Sequence, residues 1–414
     1  MRMLSKIVMS AGLVSLVSTM APAAEKTRPP YPHYWISVAT TNQSIPGMSE
    51  EMSGMASMFG GRGAAFGPRR TLQLQLEGPR EVAEPKAEHL IPPGQKMGES
   101  LPLITPKQEK AEYQPEQRGE RPEKYEKPKA RMLIYWGCGE NVAKGQPRVI
   151  DTAKMSAMDF GKALSGRSGT RQIPPSPHKG WTYGDWPNSE DRKDVPKDAS
   201  LVGEHQLKGS YLPDNIRFSL DQKRDFMAPV SFSAISKTAS GAWPFKWQQV
   251  PTAIGYFATA MGHNQKTGET IFWSSSEVPE TGFGLMDYLT PHDVQRFIRE
   301  KVLMPTSRTS CTIPAGVFKD VDGAMLQFMA YGEELNLVHP PKPKDPKQPW
   351  NPQWSVKVRL KSTGSSPLVE AEERGSRSSK KRPAADDGAE QEQQPSDNKK
   401  GGGMMDGLKG MFGF

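Results

Sequence analysis

Alternation with a period of two dominates the pattern of apolar and polar positions along this chain. Residues 245–248 read Phe-Lys-Trp-Gln, which places Phe245 and Trp247 on one face of an extended strand. Val250-Pro251-Thr252 then turns the chain into a second β-rich run, 253–261, through Tyr256 and Phe257. A polar bridge at 262–268, with Asn264 and Lys266, reads as a hairpin loop. The third strand, 270–274, puts Ile271 and Trp273 on one side and Phe272 on the other. The stretch 241–277 therefore predicts a three-stranded meander with enough aromatic area to nucleate a core.

The same period recurs at 33–41, 71–77, 131–137, 147–151, 216–220, 230–235, 335–338 and 354–360. Residues 317–321 and 324–331 flank Asp322-Gly323, a strong hairpin signal. Helical periodicity is rare. Its best instance follows Thr290, which can cap, with Pro291 in the first turn and Val294, Phe297, Ile298 and Val302 as the apolar face. A weaker instance is 152–164, with Met155, Met158, Phe160 and Leu164 on one side and Gly161 against it. The pattern predicts a mainly β protein, an antiparallel β-sandwich of one or two units with one short helix, long linkers and a disordered C-terminal tail.

One segment carries a resemblance. Residues 245–257, Phe-Lys-Trp-Gln-Gln-Val-Pro-Thr-Ala-Ile-Gly-Tyr-Phe, are similar to the early strands of fibronectin type III-like modules. There a Trp on one strand and a Tyr on the next bracket a Val-Pro-x-Ala-x-x-Tyr turn. The resemblance implies an immunoglobulin-like sandwich and, by family habit, binding or spacing rather than catalysis. Fold likeness alone assigns no function.

Composition divides the chain. Only 35% of residues are hydrophobic, against 38 Pro and 39 Gly, so much of the sequence is not core. Residues 1–23 read as a cleaved export signal: Arg2 and Lys6, an apolar run at 7–17 too short to span a membrane, then Ala21-Pro22-Ala23. Residues 24–78 carry the first strands and a Met/Gly-rich loop. Residues 79–129 are a linker rich in Pro, Glu and Lys, and 130–361 the β body, as one unit or as 130–225 and 226–361. Residues 362–400 are low-complexity and expected to be disordered, and 401–414 form an apolar terminal peptide. Export predicts a periplasmic or extracellular location, where Cys138 and Cys311 meet an oxidising environment. They either pair, closing a loop of over 170 residues worth roughly 4–5 kcal/mol, or pack as two separate buried thiols.

Charge narrows the partners. The net +8 falls to +6 without Arg2 and Lys6, and no basic stripe interleaves with aromatics, which argues against nucleic acid. Residues 180–188 hold Trp181, Tyr183, Asp185 and Trp186 in a Gly/Pro-bounded stretch. Three rings there suit a stacking platform for a sugar or a partner's side chain, with Asp185 taking hydroxyls, or else a lid folded over the core. Met404, Leu408 and Met411 fall at helical spacing beside Phe412, suiting a docking peptide for a protein groove or a membrane face. Met48, Met52, Met55 and Met58 are spaced thioethers of the kind that suit Cu(I), with no His or Cys to reinforce them.

Catalytic patterns are missing: no Gly-x-Ser-x-Gly elbow, no His pair at metal spacing, no phosphate-cradling Gly loop, and no cofactor implied. The expectation is an exported non-enzymatic protein of the bacterial cell envelope that binds a protein or a glycan. Two alternatives stand beside it. One is a secreted glycan hydrolase drawing carboxylates from Asp185, Glu190, Asp191 or Glu277, and the other a copper-handling protein.

Overall fold

Strands dominate the computed structural model, which describes residues 29–44, 67–106, 131–321 and 323–369 of the 414. The export signal, the four methionines at 48–58, most of the second half of the linker and the C-terminal peptide lie outside the described residues.

One mixed sheet of nine strands forms the frame. Its spatial order is β6 (Arg148–Asp151), β5 (Arg131–Trp136), β13 (Glu269–Ser274), β12 (Gly255–Asn264), β15 (Ala324–His339), β16 (Trp354–Leu368), β1 (His33–Gln43), β2 (Gly67–Gly78) and β7 (Thr182–Trp186). Two neighbouring pairs are parallel, β1 with β16 and β5 with β13, and the rest antiparallel. A four-stranded sheet runs β4 (Ser100–Pro102), β3 (Ala87–Leu90), β8 (Gly203–Gly209), β9 (Arg217–Leu220). A three-stranded sheet runs β10 (Phe232–Ile235), β11 (Trp243–Trp247), β14 (Ser310–Ile313).

Register assigns the faces of the large sheet. Tyr34, Ile36 and Val38 stand opposite Leu76, Leu74 and Leu72 on one side and Val356, Val358 and Leu360 on the other, all on one inner face. Ala258, Ala260, Phe328, Ala330 and Trp273 continue that face. It is sealed by the two smaller sheets through Leu101, Leu207 and Phe218 of one and Trp243, Phe245 and Trp247 of the other, forming one core cluster. Each fully buried aliphatic side chain there contributes about 1.5–3 kcal/mol.

The outer face is covered in two different ways. α2 (Pro291–Arg299) sets Val294 and Phe297 on Phe257, Met329 and Tyr331. A Cβ on Gly255 would lie 2.6 Å from Val294 Cγ1, so glycine permits this close helix–sheet contact. α1 (Ala157–Leu164) and the turn before it bring Ala163, Leu164 and Met155 onto Met132, Ile134, Ile150 and Phe272. Both helices have side-chain N-caps, Thr290 to Asp293 N and Ser156 to Asp159 N. Among the described residues no helix lies over β16, β1 and β2. Instead residues 165–181 cross as an extended strap: Gln172 Oε1 accepts from Lys357 Nζ at 3.5 Å, Pro175 O from Gln75 Nε2 at 3.2 Å, and His178 pairs with Glu77 at 3.5 Å.

Several expectations are corrected. The mainly β class holds, but nine strands in one sheet with parallel pairs are not the all-antiparallel arrangement expected. The meander is split: β12 and β13 are a hairpin of the large sheet, whereas β11 belongs to the three-stranded sheet. Val250-Pro251 therefore carries the chain between layers. Residues 317–321 form turns rather than a strand, so no hairpin precedes Ala324. The strands of 24–78, set apart from the body in sequence but free to join its sheets, do join them, with β1 between β16 and β2. The linker contains β3 and β4, and β16 runs to Leu368, past the boundary set at 361. Cys138 and Cys311 are joined by a disulfide with Cα atoms 5.2 Å apart, fastening β14 to the end of β5.

Candidate ligand-binding cleft

The aromatic stretch 180–188, expected as a loop, is largely strand. β7 pairs with β2 from Leu74↔Trp186 to Gly78↔Thr182, and alternation then separates its rings. Trp186 turns to the inner face, 1% exposed, and joins the main core. Tyr183 and Asp185 turn outward. Trp186 thus belongs to no platform.

Trp181, one residue ahead of β7, is half-buried and borders a cleft of about 700 Å³. Its other walls include Tyr183, His178, Lys179, Glu81 and Glu190. The Trp181 ring lies 5.0 Å from that of His178 and 6.2 Å from that of His33, nearly parallel to the latter. Burial lowers the His33 pKa, against the pull of Glu77.

Backbone clamps hold this rim. Thr182 Oγ1 donates to Arg80 O at 2.8 Å and accepts from Val82 N at 3.2 Å. Thr105 Oγ1 donates to Tyr183 O at 2.6 Å, and Ile104 and Asp185 exchange backbone bonds of 3.1 Å. Asn188 Oδ1 accepts from Glu190 N and Asp191 N, while its Nδ2 donates to Pro102 O and Asp185 O. The polar walls are thereby fixed relative to Trp181.

The carboxylates considered for catalysis are scattered. Tyr183 Oη donates to Asp185 Oδ2 at 3.1 Å. Burial raises the Tyr183 phenol to about 12 and lifts the Asp185 carboxyl, the latter against that hydrogen bond. Yet Asp185 does not line the cleft, whereas Glu190 does. Asp191 pairs with Lys193 at 3.1 Å. Glu277 follows β13, six strand positions from β7, roughly 29 Å at 4.8 Å per strand, and lies between Lys301 and Arg308. Among the described residues no group of three His, Cys, Asp or Glu could hold a metal, and no helix is long and apolar enough to cross a membrane.

His178, Lys179 and Glu81 were not singled out by sequence. Glu81 comes from the linker about a hundred residues upstream, brought to Trp181 by the β2–β7 pairing at Gly78↔Thr182 and by the Thr182 clamp on Arg80 and Val82. Comparison of the chain with known protein families, curated proteins and solved structures finds no match.

Proposed function

We propose that this chain is an exported, non-enzymatic binding protein of the cell envelope, and that the cleft beside Trp181 takes a glycan. The cleft carries the proposal. Its volume falls within the roughly 300–1,000 Å³ usual for ligand sites. It offers the Trp181 ring for a sugar face, with Tyr183 in the same wall, and around them Glu81, Lys179 and Glu190 for hydroxyls. The Cys138–Cys311 disulfide is in keeping with an oxidising compartment. Met404, Leu408, Met411 and Phe412 would add a contact to an envelope protein or membrane face.

A glycan array with the purified protein tests the site. A saturable hit lost in Trp181→Ala and kept in Lys96→Gln supports it, and an empty array, or hits indifferent to Trp181, refutes it. The hydrolase alternative draws on Glu190 in the cleft wall and on the raised Asp185 carboxyl behind it, bonded to the wall residue Tyr183. It requires reducing ends to be released from the bound glycan and lost in Asp185→Asn and Glu190→Gln.

A further inference from the structure

Three side chains from separate elements meet at one nitrogen beneath the strap. Lys357 Nζ, on β16, lies 2.7 Å from Glu334 Oε1 on β15 and 3.5 Å from Gln172 Oε1 on the strap. It stands 5.0 Å from the ring centre of Trp35, its register partner on β1. The Glu334 side chain is 5% exposed and that of Lys357 19%. An amine, a carboxamide and a carboxylate are thus held together with little access to water.

Two atoms of this group have no hydrogen-bond partner among the described residues. Glu334 Oε1 accepts from Lys357 and, at 2.6 Å, from Asn336 Nδ2, while Oε2 is buried without a donor. Gln172 turns its Oε1 to Lys357, and its Nε2 is buried without an acceptor. A buried carboxylate oxygen with nothing to accept from is free to carry a proton. A buried amide nitrogen with nothing to donate to loses no bond by leaving.

Charge points the same way. Glu334 stands directly opposite Arg359 across β15 and β16, two residues along from Lys357. Lys361, the next on that face, has Asp287 at 3.0 Å, so Lys357 and Arg359 are left to share Glu334. Arg359 is 8% exposed and anchored in place, its Nε donating to Ser37 Oγ at 2.8 Å. Its guanidinium carbon lies 4.3 Å from the Tyr288 ring centre and 5.1 Å from that of Trp35. Of the two cations only the lysine can be freed as a nucleophile. Loss of its charge leaves one cation and one anion facing each other across the two strands.

We propose that Lys357 and Gln172 become joined by an isopeptide bond, formed once by the chain itself with Glu334 as the proton carrier. Glu334 takes a proton from the Lys357 ammonium, and the Nζ lone pair attacks Gln172 Cδ, one bond from Oε1. The N–C bond forms and the carbonyl electrons move onto Oε1. Glu334 passes its proton to Nε2, the carbonyl re-forms, the Cδ–Nε2 bond breaks and ammonia leaves. Glu334 then takes the surplus proton from Nζ and hands it to the departing ammonia. One lysine ammonium and one carboxamide thereby become one secondary amide and one ammonium ion, with no oxidation and no co-reactant. Holding the amine against the carboxamide supplies the proximity that a free amine and amide lack, and excluding water disfavours hydrolysis of Gln172. The link runs through two long side chains, so it ties the strap to β16 without clamping the strap's backbone. It does not depend on what occupies the Trp181 cleft.

Mass spectrometry of the full chain, reduced and denatured, tests the bond. The expected result is a mass lower by one ammonia than that of the unlinked chain and, after trypsin, a branched peptide joining Gln172 to Lys357. Glu334→Gln leaves both reacting groups in place and should restore the full mass and give the two peptides separately, as should Lys357→Arg, which keeps the charge but has no amine to react. A wild-type chain of full mass, with Gln172 and Lys357 in separate peptides, overturns the proposal whether or not the variants fold. A branched peptide that persists in Glu334→Gln overturns the role of Glu334 as proton carrier.

Discussion

His89 Nε2 lies 2.9 Å from His205 Nδ1, with both rings 1% exposed between the large sheet and the four-stranded sheet. The protons of this pair are fixed by its ends. His205 Nε2 is 2.7 Å from Leu201 O, which can only accept, so Nε2 carries the proton and Nδ1 accepts. His89 Nε2 must then donate to it, leaving His89 Nδ1 to accept from Tyr34 Oη at 2.9 Å. The chain Tyr34→His89→His205→Leu201 runs in one direction with two neutral rings. A proton on His205 Nδ1 would set N–H against N–H.

Acid should therefore loosen the contact between these sheets. Burial lowers the pKa of His89, aided by His205, and burial lowers that of His205 against its bond to Leu201. A histidine depressed in the folded state binds protons more readily when unfolded. Its stabilising effect is full above the unfolded value of about 6.5 and lost as pH falls below it, at up to about 1.4 kcal/mol per pH unit per group. Urea midpoints should hold from pH 8 to 7 and drop steeply from 6.5 to 5. A midpoint unchanged to pH 5 would show that the pair titrates as in the unfolded chain.

The disulfide closes a link that the backbone reinforces. Gly139 N donates to Thr312 O and Ala315 N to Glu140 O, both at 2.9 Å, on either side of Cys138–Cys311. With the cysteines 173 positions apart in sequence, the chain-entropy treatment gives about 5 kcal/mol. Reduction should lower the urea midpoint markedly and speed hydrogen exchange at Gly139 and Ala315. Exchange at those amides unaltered by reduction would mean that the backbone bonds alone hold the junction.

Trp181 and Trp186 should separate in a mutational test. Trp186→Ala empties a site at 1% exposure in the main core and should cost about 3–5 kcal/mol. Trp181→Ala removes a half-buried ring at the cleft and should leave the unfolding midpoint within about 1 kcal/mol while abolishing ligand uptake. Equal destabilisation by both would place Trp181 in the core and remove the cleft's aromatic wall.

The same pair shows what was legible in the sequence. The strands at 33–41 and 354–360 are legible in the sequence because one apolar face of each meets a layer. Segment 180–188 hides its strand, because the inner face carries Thr182 and Gly184 beside Trp186 while the Tyr183 ring falls on the outer face with Asp185. Short strands β3, β4, β8 and β14 left little periodicity over three to seven residues. The division of 241–277 between two sheets could not be seen, because periodicity gives a strand's face and not its partner. The cleft was half legible: Trp181 and Tyr183 stood out as aromatics, whereas Glu81 arrives only through tertiary pairing. Arg359 gave no local signal, its character coming from Ser37, Trp35 and Tyr288, all distant in sequence.

Asp293 fastens the strap to α2, and its loss should free the strap before it unfolds the sheet. Asp293 Oδ2 accepts from Thr170 N at 2.7 Å and from Thr290 Oγ1 at 2.8 Å, while Oδ1 accepts from Arg296 at 2.8 Å. Burial opposes its ionisation, but those bonds prevail and hold its pKa below the usual carboxylate value. The contribution is therefore present above about pH 3.9 and lost as pH falls through the folded-state value. Asp293→Ala removes the carboxylate at every pH and should cost about 1–3 kcal/mol. Glu280, accepting from Arg167 N and Gly282 N, holds the strap's start independently, so the strap should detach only from Thr170 onward. Limited proteolysis should then cut near Ile173, exposed in the strap, while β1 and β16 stay protected. Cleavage at the wild-type rate would show that Gln75, Lys357 and Glu77 hold the strap without Asp293.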